Sequence, residues 1–373
     1  VVPAAGMTRH LLVDISAHGL GHLAQAAEVV NALGRRLPDL HATVRTDLPA
    51  DLLHDRLRVP YQTRTARLDP GMVMADALTV LPEDSLRAYV AFHEQWPGRV
   101  QTEAQEIRAL APDLILADVP YLSLAAARQA GLPAAALCSL DWAGVFAAYC
   151  GHLPGAEAIT AQIEAAYRDA RVFLQPRPHM PMVYLANRAE VGPIAATPDT
   201  PRTALRRRLP AGERVVLVSL GGLPFPLPLA QWPELPGTTW LLPGEVPPRA
   251  DMVALKETGL SHIEAVAAVD AVVTKMGYGT LVEAACQGTD ILYLPRGDWP
   301  EEPAMEAWLA ANARSQTVTR RMLETGELGP ALEAVTAQHR PPPPAASGAD
   351  DAARILAGLL EDPDETTGPG QLP

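Results

Sequence analysis

The chain has 373 residues, enough for two domains of ordinary size, and either half could bury a full core without disulfides or metals. Aspartate and glutamate outnumber lysine and arginine by 43 to 30, a formal charge of −13, which argues against nucleic-acid binding because phosphate contacts need clustered cations. The longest apolar stretches break well before the roughly 20 residues that cross a bilayer.

Residues 1–6 read as an expression scar ahead of Met7 and are set aside. Residues 10–16 (HLLVDIS) form a short apolar run that predicts a strand ending in a Gly-rich turn. Residues 23–37 have helical periodicity, and Pro38 stops them. Residues 41–46 read as the second strand. The segment 69–108 reads as mostly helical and carries Tyr89, Phe92, His93 and Trp96. Residues 113–117 (DLILA) predict a buried strand, 123–130 an Ala-rich helix closed by Gly131, and 134–138 the next strand. A last strand of this half is expected at 172–175. Such alternation of strand and helix predicts a parallel sheet with crossover helices.

Residues 176–201 contain six prolines and lack periodicity, which marks a linker region. The strand-helix pattern then restarts. Strands are expected at 214–219, 239–242, 271–274 and 291–294, with helices at 263–269 and 280–286. The predicted organisation is a Rossmann-like domain over 7–185, a linker region over 186–213, a second Rossmann-like domain over 214–340, and a spacer, terminal helix and tail over 341–373. Two such units should meet across a cleft at the carboxyl ends of their strands, where open α/β sheets bind ligands.

Cys138, Cys150 and Cys286 are widely spaced, show no metal-ligand spacing and suit a reducing cytoplasm. The basic clusters at 206–208 and 320–321 are short and read as solvated helix faces.

Chemistry is then sought in the loops that follow strands. The first turn runs Ser16-Ala17-His18-Gly19-Leu20-Gly21-His22. Gly19 and Gly21 allow a tight turn and close approach of a ligand, and the helix that follows offers N–H groups to an anion or polar oxygen. With Ala24 in last place this turn also fits a dinucleotide fingerprint, a weak signal alone. His18 and His22 flank it, placed for proton transfer or simply packing the turn. The second turn, Ser219-Leu220-Gly221-Gly222, admits a phosphate or sugar, or is an ordinary strand exit. The third is Lys275-Met276-Gly277-Tyr278-Gly279-Thr280 at a helix start, a cradle for a diphosphate, with Glu283 one turn on as a ribose ligand. The competing reading makes Thr280 and Glu283 a capping box. A fourth stretch, residues 295–303, places Arg296, Glu301 and Glu302 at a strand exit, for sugar hydroxyls and phosphate or as a solvated loop.

These residues together resemble GT-B glycosyltransferases, among them the peptidoglycan GlcNAc transferase family and plant secondary-metabolite transferases. The run from Gly279 to Gly288 is similar to their donor-binding helix, in which the glutamate holds the nucleotide ribose. The nearest resemblance is to the glycosyltransferase-like N-terminal half of plant L-arabinokinases and its stand-alone bacterial relatives. It is carried by His18-Gly19-Leu20-Gly21-His22, Ala117-Asp118-Val119-Pro120, Ser139-Leu140-Asp141-Trp142, the stretch from Val273 to Thr280, and Glu301-Glu302-Pro303. No Walker-type kinase motif is present, so a sugar kinase is not implied. A nucleotide-sugar hydrolase of pseudaminic acid synthesis is a further relative with a Gly-x-Gly-His turn.

The resemblance implies a GT-B fold and transfer of a sugar from a nucleoside diphosphate donor, most simply a UDP-sugar, to a hydroxyl on a small-molecule or lipid-linked acceptor. It implies no metal and no other cofactor. The donor site would comprise Gly19, Gly21, Ser219, Gly221, Gly222, Lys275, Gly277 to Thr280, Glu283, Glu301 and Glu302. His22 would be the general base, and Asp118 would orient it, hold the acceptor or cap a helix. Hydrolysis of a nucleotide sugar and non-catalytic binding of one are the alternatives. A dinucleotide oxidoreductase fits least.

Overall fold

The computed structural model describes residues 8–210, 212–221 and 227–361. They form two compact units. Unit 1 contains the residues up to 194 together with those from 347 onward, and unit 2 contains 195–346.

Unit 1 is built on seven parallel strands: β1 Arg9–Ile15, β2 Leu40–Thr46, β3 Tyr61–Thr65, β4 Leu114–Asp118, β5 Ala134–Leu137, β6 Val172–Pro176 and β7 Arg188–Val191. Their order across the sheet is β3-β2-β1-β4-β5-β6-β7. Helices cover both faces, so the central strands are apolar on both sides; Leu11, Leu12, Val13, Leu114, Ile115 and Leu116 are wholly enclosed. The order turns back between β1 and β4, and their register pairs Ile15 with Asp118. That pairing puts the last residue of each strand side by side at the switch point, the place where such sheets accept ligands.

Unit 2 repeats the plan with β8 Arg214–Val218, β9 Thr238–Leu242, β10 Met252–Ala254, β11 Ala271–Lys275, β12 Asp290–Leu294 and β13 Ser315–Thr317. The order is β10-β9-β8-β11-β12-β13, all parallel. Its switch point lies between β8 and β11, where Val218 pairs with Val273.

The structure revises the expected boundaries at two places. The residues expected as linker, 186–213, include strand β7 and the helix Arg202–Arg206. Strand β7 has only four residues and alternates exposed with buried, so it gives no apolar run among the surrounding prolines. The terminal helix spans Gly348–Glu361 and belongs to unit 1, not to a separate tail after the second domain. It packs on the helix Leu20–Arg36 and on β7. Gly348 N–H donates to Pro193 O at 3.0 Å, and Gly192 N–H to Asp351 Oδ2 at 3.2 Å. A Cβ at Gly348 would lie 1.9 Å from the Gly192 carbonyl oxygen, so only glycine allows this approach.

Strand β3 and the helices Ala50–Arg56 and Ala156–Arg168 were not singled out from the sequence. The expected helical segment 69–108 begins only at Pro82, with helices Pro82–His93 and Trp96–Leu110. Its aromatics knit these helices to their neighbours. His93 lies buried, its Nε2 2.8 Å from Tyr121 Oη and its Nδ1 2.6 Å from Gln162 Oε1. No helix among the described residues is long and apolar enough to cross a membrane.

Candidate active site

In unit 1 the Gly-rich turn leads straight into the helix Leu20–Arg36, with Gly19 as its N-cap residue and no side chain capping it. The first N–H groups of that helix therefore lack the usual side-chain acceptor. A Cβ at Gly19 or Gly21 would meet nothing within 4 Å, so packing alone does not demand glycine at either place. Both leave open space at the helix start.

His22, on the first turn, is 6% exposed and faces the end of β4. Its Nδ1 lies 3.0 Å from Asp118 Oδ1, and Asp118 is completely enclosed. The helix that follows β4 is capped by Pro120, not by Asp118, which removes the capping alternative for this carboxylate. The Asp118–Val119 peptide bond is cis. Burial pushes the Asp118 carboxyl above its ordinary range, and the His22 hydrogen bond and charge pull it back. Cys138 Sγ lies 3.6 Å from the same Nδ1. Trp142, buried at the start of the helix Trp142–Cys150, sets its ring centroid 5.0 Å from that of His18 and 5.9 Å from that of His22. Asp141 caps that helix by accepting the Gly144 N–H at 2.7 Å.

Donor atoms of His22, Asp118 and Cys138 lie within 4.8 Å of one another, close enough to share a metal ion. They come from residues far apart in the chain, so no sequence spacing announces them. A His-Asp-Cys set would suit a borderline-soft cation such as zinc. The 3.0 Å separation of Nδ1 and Oδ1 is equally that of an ordinary hydrogen bond.

In unit 2, the helix Tyr278–Gln287 starts at Gly277, again with no side-chain cap. Thr280 is thus the third helical residue and not the cap, so the capping-box reading of Thr280 and Glu283 does not hold. The chain does form a capping box, but between Ser261 and Glu264 on the helix His262–Ala268. Glu283 is buried one turn into the Tyr278 helix. Gly277, Gly279 and Thr280 are partly exposed around its start, and Tyr278 is buried.

Lys275 ends β11 beside this helix. Burial and the charge of Arg296 lower it to about 8, with Glu301 opposing. Its side chain runs along Gly221, which has φ +86°; a Cβ there would lie 3.2 Å from Lys275 Cε. Ser219 follows β8, and its Oγ lies 3.0 Å from His262 Nε2, a partner the sequence reading missed because His262 is 43 residues away. Gly222 lies outside the described residues. Glu301 and Glu302 are buried at the start of the helix Glu302–Asn312. Glu302 Oε2 accepts the N–H groups of Arg296 at 3.0 Å and Gly297 at 2.8 Å, so this carboxylate closes the loop after β12. The Arg296 guanidinium lies 3.7 Å over the Trp299 ring.

Two doubly wound parallel units, each with a Gly-rich helix start at its switch point, are the plan of the GT-B fold, and the chain is similar in fold to solved GT-B glycosyltransferases. The glycosyltransferase of kitacinnamycin superposes with a TM-score of 0.58 at 17% identity, covering 96% of both chains. A UDP-glucosyltransferase from Polygonum tinctorium superposes with a TM-score of 0.58 at 13% identity, covering 96% of this chain and 100% of its own. In sequence, the L-arabinokinase of Arabidopsis thaliana is 27% identical over 363 residues, 94% of this chain. The chain spans about a third of that protein's length (34%). No protein-family model matches it.

Proposed function

We propose that the protein transfers a glycosyl group from a nucleoside diphosphate sugar, a UDP-sugar in the simplest case, to an acceptor hydroxyl. The observation that carries the reading is the His22–Asp118 pair at the switch point of unit 1, 3.0 Å between Nδ1 and Oδ1. Asp118 fixes the tautomer and orientation of the imidazole, and His22 takes the proton of the attacking hydroxyl. A positioned base of this kind contributes about 10²–10⁴-fold in rate. Unit 2 supplies the donor site. N–H groups at the start of the Tyr278 helix, with the Lys275 ammonium, stabilise the charge that grows on the departing diphosphate. Glu283 accepts the ribose hydroxyls, and Glu301 takes sugar hydroxyls. The reaction runs without a metal ion.

The test is thermal stabilisation by a panel of UDP-, GDP- and dTDP-sugars, followed by nucleotide release with and without candidate acceptors. One sugar nucleotide should stabilise the protein. Glu283→Ala should abolish that stabilisation, and His22→Ala should keep it while losing turnover. Turnover should survive a chelator and Cys138→Ser. Release of free sugar without any acceptor would assign hydrolysis in place of transfer. Stabilisation without turnover in any mixture would assign a binding protein. If no sugar nucleotide stabilises the chain, the donor site is misassigned.

A further inference from the structure

A segment outside the predicted site lies directly on it. Met72 N–H donates to His18 Nδ1 at 3.3 Å, and a Cβ on Gly71 would press into the His18 ring at 2.8–3.2 Å. The stretch ahead of helix Pro82–His93 is thereby clamped onto the Gly-rich turn. Its Asp69 is 5% exposed. Asp69 Oδ1 accepts the Ser16 hydroxyl at 3.1 Å, while the Ser16 N–H donates to Asp118 O at 2.8 Å. One residue at the end of β1 therefore ties Asp69 and Asp118 to the same spot. Both carboxylates are buried; besides Ser16 and His22, neutral groups face them, the Trp142 side chain at Asp69 and the Cys138 thiol at Asp118. Such carboxylates are costly to enclose unless a compensating charge stands close by. Burial raises both carboxyls above their ordinary range, and the charge of His22 pulls both back, with Arg67 adding to the pull on Asp69.

We propose that Asp69 is a positioning residue of the active site, a second carboxylate that holds the positive charge His22 acquires when it accepts a proton. The inference rests on the reading of His22 as the base. In the step concerned, the acceptor O–H bond breaks and its proton passes to His22. The oxygen electron pair forms the bond to the anomeric carbon, and the pair of the old bond leaves with the diphosphate. An imidazolium formed in an enclosed site is costly, and a carboxylate fixed nearby in low dielectric lowers that cost and makes the imidazole a stronger base. The titratable groups around the imidazole are Asp118 at the end of β4, Cys138 after β5, His18 in the turn, and Asp69, with Arg67 on the same segment as Asp69. The buried Tyr89 hydroxyl also feels the Asp69 charge.

The test is the titration of the His22 imidazole by NMR in the parent, Asp69→Asn, Ser16→Ala and Asp69→Glu, beside the pH profile of kcat/KM. Asp69→Asn should lower the His22 pKa by about one unit, and Ser16→Ala should move it the same way by less. Asp69→Glu should restore part of the difference. In turnover, the acid limb of Asp69→Asn should move to lower pH and the plateau fall about tenfold, with the KM for donor unchanged. An unmoved His22 titration in Asp69→Asn and Ser16→Ala overturns the role of Asp69 alone. A plateau that falls while the limb stays put assigns Asp69 a merely structural part. Full turnover in His22→Ala would overturn the base reading and this role together.

Discussion

Lys275, at the end of β11 in unit 2, sits in surroundings that disfavour its charge. Its ammonium loses charge as pH rises through about 8, because burial and Arg296 both disfavour it. Diphosphate affinity that draws on that charge must weaken above about pH 8, by at most about tenfold per pH unit. Calorimetric titration of UDP from neutral to alkaline pH should show the inflection, and Lys275→Met should bind weakly with no inflection. Asp141 works in the opposite sense. Burial raises its carboxyl to about 6 against the pull of the Gly144 N–H and Tyr184 hydroxyl. The folded chain holds a proton there that the unfolded chain releases, so this group's contribution to stability falls as pH rises from about 4 to about 6. Asp141→Asn keeps a neutral acceptor at the helix cap. It should exceed the parent in stability at pH 7.5 by up to about 3 kcal/mol, and lose that margin near pH 4 in urea melts. The sequence singled out His22 as a candidate because a histidine beside glycines at a helix start is placed for proton transfer, and the structure sets it 3.0 Å from Asp118. Asp69 was invisible, since an acid 53 residues from Ser16 in an irregular segment carries no local signal.

Most central strands of both sheets were legible as elements, because a mainly apolar run of four to seven residues between turn signals has few other solutions. Strands β3, β7, β10 and β13 escaped: β10 and β13 have only three residues each, too few to give a pattern. β3 (YQTRT) is largely exposed, and β7 buries only alternate residues. Helix starts were less legible. The Thr280-x-x-Glu283 pattern satisfies the capping rule, yet the backbone begins its helix at Gly277, as the glycine turn from β11 already has the extended geometry a cap requires. The rule is obeyed at Ser261 and Glu264, where Ser261 Oγ accepts the Glu264 N–H at 3.3 Å and Glu264 Oε2 the Ser261 N–H at 2.9 Å. Ser261→Ala should cost about 1 kcal/mol in chemical denaturation. It should also weaken donor binding, because the capped helix carries His262 to Ser219.

The doubly wound architecture of the whole chain could be read from the order of its elements, which alternates strand and helix through two cycles. The ownership of its terminal helix could not, since that depends on packing against the distant helix Leu20–Arg36 and β7 and on the close approach of Gly192 to Gly348. This contact has a consequence for how the protein can be taken apart. The chain leaves unit 1 after residue 194 and returns to it at 347, and the two crossing points are held together by the Gly348–Pro193 hydrogen bond. Unit 2 is therefore a cassette set into the sequence of unit 1, with its entry and exit side by side. Domains whose ends lie close together tolerate excision and rejoining. A chain running from residue 8 to 193 and joined through a short Gly-Ser linker to 348–361 should fold and melt cooperatively. The same piece ended at 193 should be less stable, because the helix Leu20–Arg36 that carries His22 would lose the terminal helix that packs on it.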